Sequence, residues 1–296
     1  MQARYIDAHC HVQFEHYARD EAQVIERMAA DGIAGIVTGV DLASSKRAVA
    51  LAELHEHLYA AVGLHPNAVG REPFDAAAYR ALAAHPKVVA IGECGLDYYR
   101  AQQAAEKAAF PAAEQAKGGS SAYYRPIVVD AAVKGAQQDA FRAHIALAAA
   151  LDKPLVLHVR PAKGTQDAYA DVIRILQEAK TENPTLRGDV HFFVGGVLEA
   201  DALVALGFTL SFTAVITFAR DYDAVVKHVP LASILSETDA PYVAPASRRG
   251  ERNDPLAVED VVRQVAYIRG EDPETVRRAL VGNALRVFGL PGTAAA

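Results

Sequence analysis

Histidines and acids recur at the ends of short apolar runs in this 296-residue chain. The first run ends in Asp7-Ala8-His9-Cys10-His11. Residues two apart on a strand point the same way, so His9 and His11 project together, and two adjacent imidazoles are half of a divalent-metal site. Alone, the pair reads as readily as two surface or core histidines. Recurrence changes the weighing. A later run ends in Gly92-Glu93-Cys94-Gly95-Leu96-Asp97. An acid directly after a buried run must be paired or metal-bound, because burying a lone carboxylate is costly. Further runs carry Leu157-His158-Val159-Arg160, Val190-His191-Phe192-Phe193 and Ser236-Glu237-Thr238-Asp239. Four histidines (His9, His11, His158, His191) and two carboxylates (Glu93, Asp239) around one cavity suffice for two ions, with a carboxylate able to bridge them. Ions roughly 3.5–4 Å apart deprotonate a shared water and clamp both oxygens of a phosphoryl displacement. The mixed nitrogen and oxygen donors suit zinc, manganese, nickel or cobalt, and magnesium less well.

Other polar residues fall near the same ends. His65 follows the third run, where contact with a ligand or a phosphate stands level with a structural hydrogen bond. Arg252, with Arg248 and Arg249, follows the eighth run, where a guanidinium can pair bidentately with phosphate; the plainer reading is a solvated charge cluster. Arg160 is a weaker candidate of the same kind. Tyr98 and Tyr99 are placed to stack on a base or to close a loop. Cys10 and Cys94 adjoin ligand candidates, but strand alternation turns them outward as buried thiols.

The elements that must carry these residues alternate along the chain. Apolar, often β-branched runs at Tyr5–His9, Gly35–Val40, Tyr59–Leu64, Val88–Gly92, Leu155–Val159, Val190–Val194, Phe208–Phe212 and Ser233–Glu237 suit strands buried on both faces. Between them lie helical segments at Glu21–Ala30, Ser45–Leu54, Phe74–Ala84, Phe141–Leu151, Gln166–Ala179, Glu199–Leu206 and Ala219–His228. Val258–Ile268 and Pro273–Val281 follow. No Gly-x-Gly-x-x-Gly follows a strand, which favours a (β/α)₈ TIM barrel over a doubly wound sheet. One domain over residues 1–296 is expected, with a long insertion at 101–136 after strand four, on the face that hosts barrel active sites. That insertion reads either as decoration of the rim or as a lid.

Bulk properties agree. Hydrophobic residues make up 51% of the chain and charged ones 22%, which excludes low-complexity disorder. The net charge of −6 argues against broad electrostatic binding to duplex DNA, but not against gripping one strand end in a metal-lined pocket. Two cysteines exclude a disulfide framework, no apolar run is long enough for a membrane span, and a cytoplasmic location is the default expectation.

In combination, the motifs Asp7-Ala-His-Cys-His11, Gly63-Leu-His-Pro66, Gly92-Glu-Cys-Gly-Leu-Asp-Tyr-Tyr99, Pro154-Leu-Val-Leu-His-Val-Arg160, Glu237-Thr-Asp-Ala-Pro-Tyr242, Arg252-Asn-Asp-Pro255 and Asn283–Leu290 resemble the TatD-type metal-dependent deoxyribonucleases of the amidohydrolase superfamily. The resemblance runs from about Tyr5 to Leu290, broken at 101–136. It implies that His9, His11 and Asp239 hold one metal, that His158 and His191 hold a second, and that Glu93 bridges them. It implies magnesium, manganese or zinc as the ion, and DNA phosphodiesters as substrate, single-stranded and commonly cut from a 3′ end. Asp239 would position a metal-bound hydroxide and accept its proton. The strand-six segment departs from the family's His-Cys-Phe-Ser-Gly, reading His191-Phe-Phe-Val-Gly195. A small-molecule amidohydrolase acting on a lactone, amide or phosphoester is the first alternative. Glu93, where many amidohydrolases carry a carboxylated lysine, and the arginines weigh against it. A non-catalytic barrel is the second alternative, disfavoured because all six ligand positions are filled.

Overall fold

The computed structural model describes residues 2–109 and 129–294. Eight parallel strands form one sheet in sequential order: β1 (Tyr5–Cys10), β2 (Ile33–Thr38), β3 (Leu58–Val62), β4 (Val88–Asp97), β5 (Leu155–Arg160), β6 (Gly188–His191), β7 (Phe208–Phe212) and β8 (Ile234–Ser236). The sheet curls until its edges meet. An isolated parallel bridge joins Cys10 to Ala240, just past β8, and His11 N donates to Ala240 O at 2.8 Å. The result is the expected TIM barrel rather than an open sheet.

Around it run α1 (Glu21–Ala30), α2 (Leu42–Leu54), α3 (Ala76–Ala83), α4 (Tyr98–Ala109), α5 (Ala131–Leu151), α6 (Asp167–Glu182), α7 (Val197–Ala205), α8 (Asp223–His228), α9 (Val258–Arg269) and α10 (Pro273–Phe288). Local chemistry sets their ends. Asp41 caps α2 in a capping box with Ser44, and Asp272 with Pro273 opens α10. The expected insertion at 101–136 falls largely outside the described residues. Residues 101–109 continue α4 and 131–136 belong to α5, with Asp130 as its N-cap; 110–128 lie outside the described residues. The Gly118-Gly119-Ser120-Ser121 tract falls there.

Both faces of the strands are buried, as parallel sheets require. Ile6, Ala8, Ile36, Ala61, Val156 and Leu235 form an interior cluster joined by Val281, Ala284 and Phe288 of α10. That helix packs at the strands' N-terminal end, where Asn283 Nδ2 donates to Leu231 O and Ile234 O. A larger cluster fills the layer between strands and helices and takes in Cys10 and Cys94, both fully buried. Sealing one end leaves the C-terminal end of the barrel for chemistry. No helix among the described residues is long and apolar enough to cross a membrane.

Candidate metal centre

The C-terminal ends of the strands surround a cavity of about 880 Å³, lined at its floor by His11, His65, Glu93, His158, His191 and Asp239. The strands deliver these groups at close range because glycine lets them approach. Gly95 has a φ of +131°, and a Cβ there would lie 2.2 Å from His158 O, so only glycine brings β4 against β5 at this level. Glu93 and His158 meet as a result, their Oε1 and Nδ1 2.9 Å apart.

Glu93 addresses two separate groups of donors. Its Oε2 lies 3.4 Å from His9 Nε2 and 3.9 Å from His11 Nε2, and those two nitrogens are 3.1 Å apart. Asp239 Oδ1 completes this group at 3.5 Å from His11 Nε2 and 4.0 Å from His9 Nε2. Its Oε1 instead faces His158 Nδ1 and, at 3.7 Å, His191 Nε2. Two imidazoles with carboxylate oxygens recur on each side, a donor set that fits a divalent ion of the zinc or manganese kind. The ring of His9 stacks on that of His191 with centroids 3.6 Å apart, and its buried Nδ1 lacks a partner among the described residues.

Groups outside the cluster hold these rings in place. His11 Nδ1 donates to Thr38 O at 2.8 Å, leaving its Nε2 lone pair toward the cavity. His158 Nε2 is held by Asp97 Oδ2 at 3.1 Å, and His191 Nδ1 by Glu237 Oε1 at 2.9 Å. These are carboxylate–histidine pairs of the sort that orient metal ligands and raise their basicity. Behind Glu237 runs a buried chain: Ser211 Oγ lies 2.8 Å from Glu237 Oε2 and 2.6 Å from Asp189 Oδ2. One hydroxyl proton can serve only one of the two carboxylates at a time. Burial and then the charge of Glu237 push Asp189 up to about 7.

The charge states follow from the same contacts. Burial opposes the Glu93 anion, yet its carboxyl lies well below the usual range because His65, His9 and His158 favour the charged form. Burial also opposes the His191 cation, but Glu237 and then Glu93 carry its pKa up to about 10; Asp97 and Glu93 do the same for His158, to about 9. Asp239 is lowered against burial by His11 and His191, so it stays an acceptor. Burial holds His65 below the ordinary imidazole value. Its Nδ1 accepts from Asn67 N at 3.0 Å, which leaves the proton on Nε2, 3.4 Å from Glu93 Oε1.

The structure thus brings together His9, His11, Glu93, His158, His191 and Asp239, with His65 beside them and Arg160 on the cavity wall. It does not bring in Arg252. That guanidinium makes a bidentate pair with Asp20 at 2.8 and 2.6 Å, donates to His16 O, lies over the Tyr17 ring, and is absent from the cavity lining. Arg249 covers Phe218 and Arg248 faces Asp254. Arg71 and Arg100, which sequence reasoning passed over, line the cavity instead. Asp97 and Glu237 also went unassigned as orienting groups, although each stands inside a ligand motif.

Comparison with known proteins agrees with this geometry. The TatD related DNase family model matches residues 6–289. The chain belongs to this family. It is 34% identical to the metal-dependent hydrolase YabD of Bacillus subtilis, over 95% of this chain and 98% of that one. It is 32% identical to the 3′-5′ ssDNA/RNA exonuclease TatD of Erwinia amylovora, over 93% and 95%. Among solved structures, the TatD homologue YjjV of Escherichia coli superposes with a TM-score of 0.77 at 28% identity, covering 98% of this chain and all of that one (100%). The protein is a TatD-family metal-dependent hydrolase acting on ester bonds.

Proposed function

We propose that this hydrolase removes nucleotides from the 3′ end of single-stranded DNA at a dinuclear metal site. His9, His11 and Asp239 would hold one ion and His158 and His191 the other, with Glu93 placed to serve both. The observation that carries this reading is the division of Glu93, whose Oε2 faces the His9–His11 pair while Oε1 faces His158 and His191. Divalent ions bound there supply Lewis acidity and offset the charge that builds on the phosphoryl oxygens.

The remaining work falls to side chains. Asp239, ionised and open to the cavity, takes the proton of the attacking water as the new P–O bond forms. The bond from phosphorus to the 3′ oxygen of the shortened strand breaks, and that oxygen leaves with the proton that Asp239 took from the water. His65 turns an Nε2–H toward the floor and is placed to donate to a phosphate oxygen. Arg160, over the Tyr99 ring at 4.1 Å, adds a fixed cation on the wall. A relative bearing the 3′-5′ ssDNA/RNA exonuclease name supports the substrate class.

The test is hydrolysis of 5′-labelled single-stranded oligonucleotides by metal-stripped protein reloaded with magnesium, manganese or zinc, beside His158→Ala. Expected is a ladder shortening from the 3′ end, restored by metal and absent in the variant. Stoichiometric metal binding without cleavage would overturn the assignment.

A further inference from the structure

The rim of the cavity is not uniform. Following the strand order around the barrel, the segments after β3, β4 and β5 bring Arg71, Arg100 and Arg160 to the lining; those after β6, β7 and β8 bring Phe192, Tyr222 and Tyr242, and the one after β1 brings Phe14. None of the three guanidiniums has a carboxylate partner within salt-bridge distance among the described residues, unlike Arg252 on Asp20. Tyr242 is 46% exposed at the mouth. One side of the mouth therefore offers guanidiniums, interspersed with Asp41, Glu72 and Asp97, and the other side aromatic faces. A ligand that matches both halves carries an anion on one side and a flat ring on the other, as a nucleotide does.

Two lining aromatics touch a ligand imidazole: Phe14 stacks flat on His11, with centroids 4.5 Å apart, and Phe192 lies beside His191 on the cavity wall it shares with Val194. The Phe192 ring meets that of His191 edge to face, with centroids 5.9 Å apart. Its backbone sits at φ +46°, a region that a bulky residue enters only when its surroundings hold it there. The restraint is visible. Glu237 Oε1 accepts Phe192 N at 2.7 Å and, with the same atom, His191 Nδ1 at 2.9 Å. One carboxylate oxygen thus holds both the His191 imidazole and the backbone that carries the Phe192 ring. Val194, two residues on, extends the apolar wall, its N–H tied to Tyr169 Oη at 2.9 Å.

Resting on the nuclease reading above, we infer that Phe192 is a specificity-determining residue that stacks on the base of the terminal nucleotide while its phosphate faces the arginine half. The enzyme then favours ends that carry a base over ends that lack one. Sugar and phosphate alone do not fill the aromatic half.

Two oligonucleotides of one sequence test this, ending at the 3′ side in thymidine or in a tetrahydrofuran abasic residue. The readout is the ratio of kcat/KM for the two ends, measured on a single preparation so that the fraction of folded enzyme cancels. Expected is a ratio of roughly tenfold or more in the wild type, from one base–aromatic stack. It should fall toward one in Phe192→Ala and persist in Phe192→Tyr. An equal rate on both ends in the wild type, or an undiminished ratio in Phe192→Ala, would overturn the stacking role and leave the nuclease reading intact. Inertness of the wild type toward both ends would overturn the two together.

Discussion

Asp239 and Asp97 sit on opposite sides of the same cluster, and removing each should fail in a different way. Asp239 faces the cavity and keeps its charge against burial. Asp239→Asn is nearly isosteric, so the fold should persist while turnover drops by about 10²–10⁴-fold, the usual worth of a positioned acid or base. A fully active Asp239→Asn in a single-turnover assay would remove it from catalysis. Asp97 is buried and acts through the ring it holds, His158 Nε2 at 3.1 Å. Asp97→Asn should weaken metal affinity about 10–100-fold, read by competition with a chelator; unchanged affinity would show that the ring needs no such support. The ligand candidates were legible in the sequence because each closes an apolar run. Their orienting partners were less so. Thr38 O reaches His11 from another strand, and the Arg252–Asp20 pair spans 232 residues, so local spacing says nothing of either.

At the level of elements, α5 ties the outer layer to the site. His144, fully buried on that helix, donates from Nδ1 to Ala140 O and accepts Leu64 N at Nε2, 2.9 Å away and one residue before His65. Burial lowers its pKa to about 4 from an ordinary 6.5. Between those values the unfolded chain binds a proton that the folded chain excludes. Stability is therefore intact above pH 6.5 and falls as pH drops through 6.5 to 4, by on the order of 3 kcal/mol for this group. His144→Gln should cost stability at pH 8, and its deficit relative to wild type should shrink across that window in urea unfolding. Parallel curves would contradict the assignment. Strand positions could be read from the sequence to within a few residues, since buried parallel strands are nearly continuous apolar runs. The start of α5 could not. Its first turns, Ala131–Ala140, mix alanine with Gly135 and polar residues, which gives no amphipathic stripe ahead of Phe141. A helix start expected at Phe141 lies instead at Ala131.

Across the whole molecule, the centre lies on the seam where the chain's first and last barrel strands meet. Asp7 accepts Thr238 N and Oγ1 at 2.9 and 2.6 Å, Asp239 N donates to His9 O, and the Cys10–Ala240 bridge closes the sheet. Asn253 clamps the same loop through Thr238 O and Val243 O. His9, His11 and Asp239 converge only when the barrel is shut, so this donor set depends on closure of the entire sheet. Alternation of strands and helices made the barrel legible, but nothing local marks this closure, because its contacts join residues some 230 positions apart. Beside that seam, Glu93 is placed to join two ions. Metal-stripped protein titrated with manganese and followed by electron paramagnetic resonance addresses it directly. Expected are two ions per chain with a spin-coupled spectrum, since ions sharing a carboxylate lie roughly 3.5–4 Å apart. One ion per chain, or two giving the spectrum of isolated manganese, would contradict it.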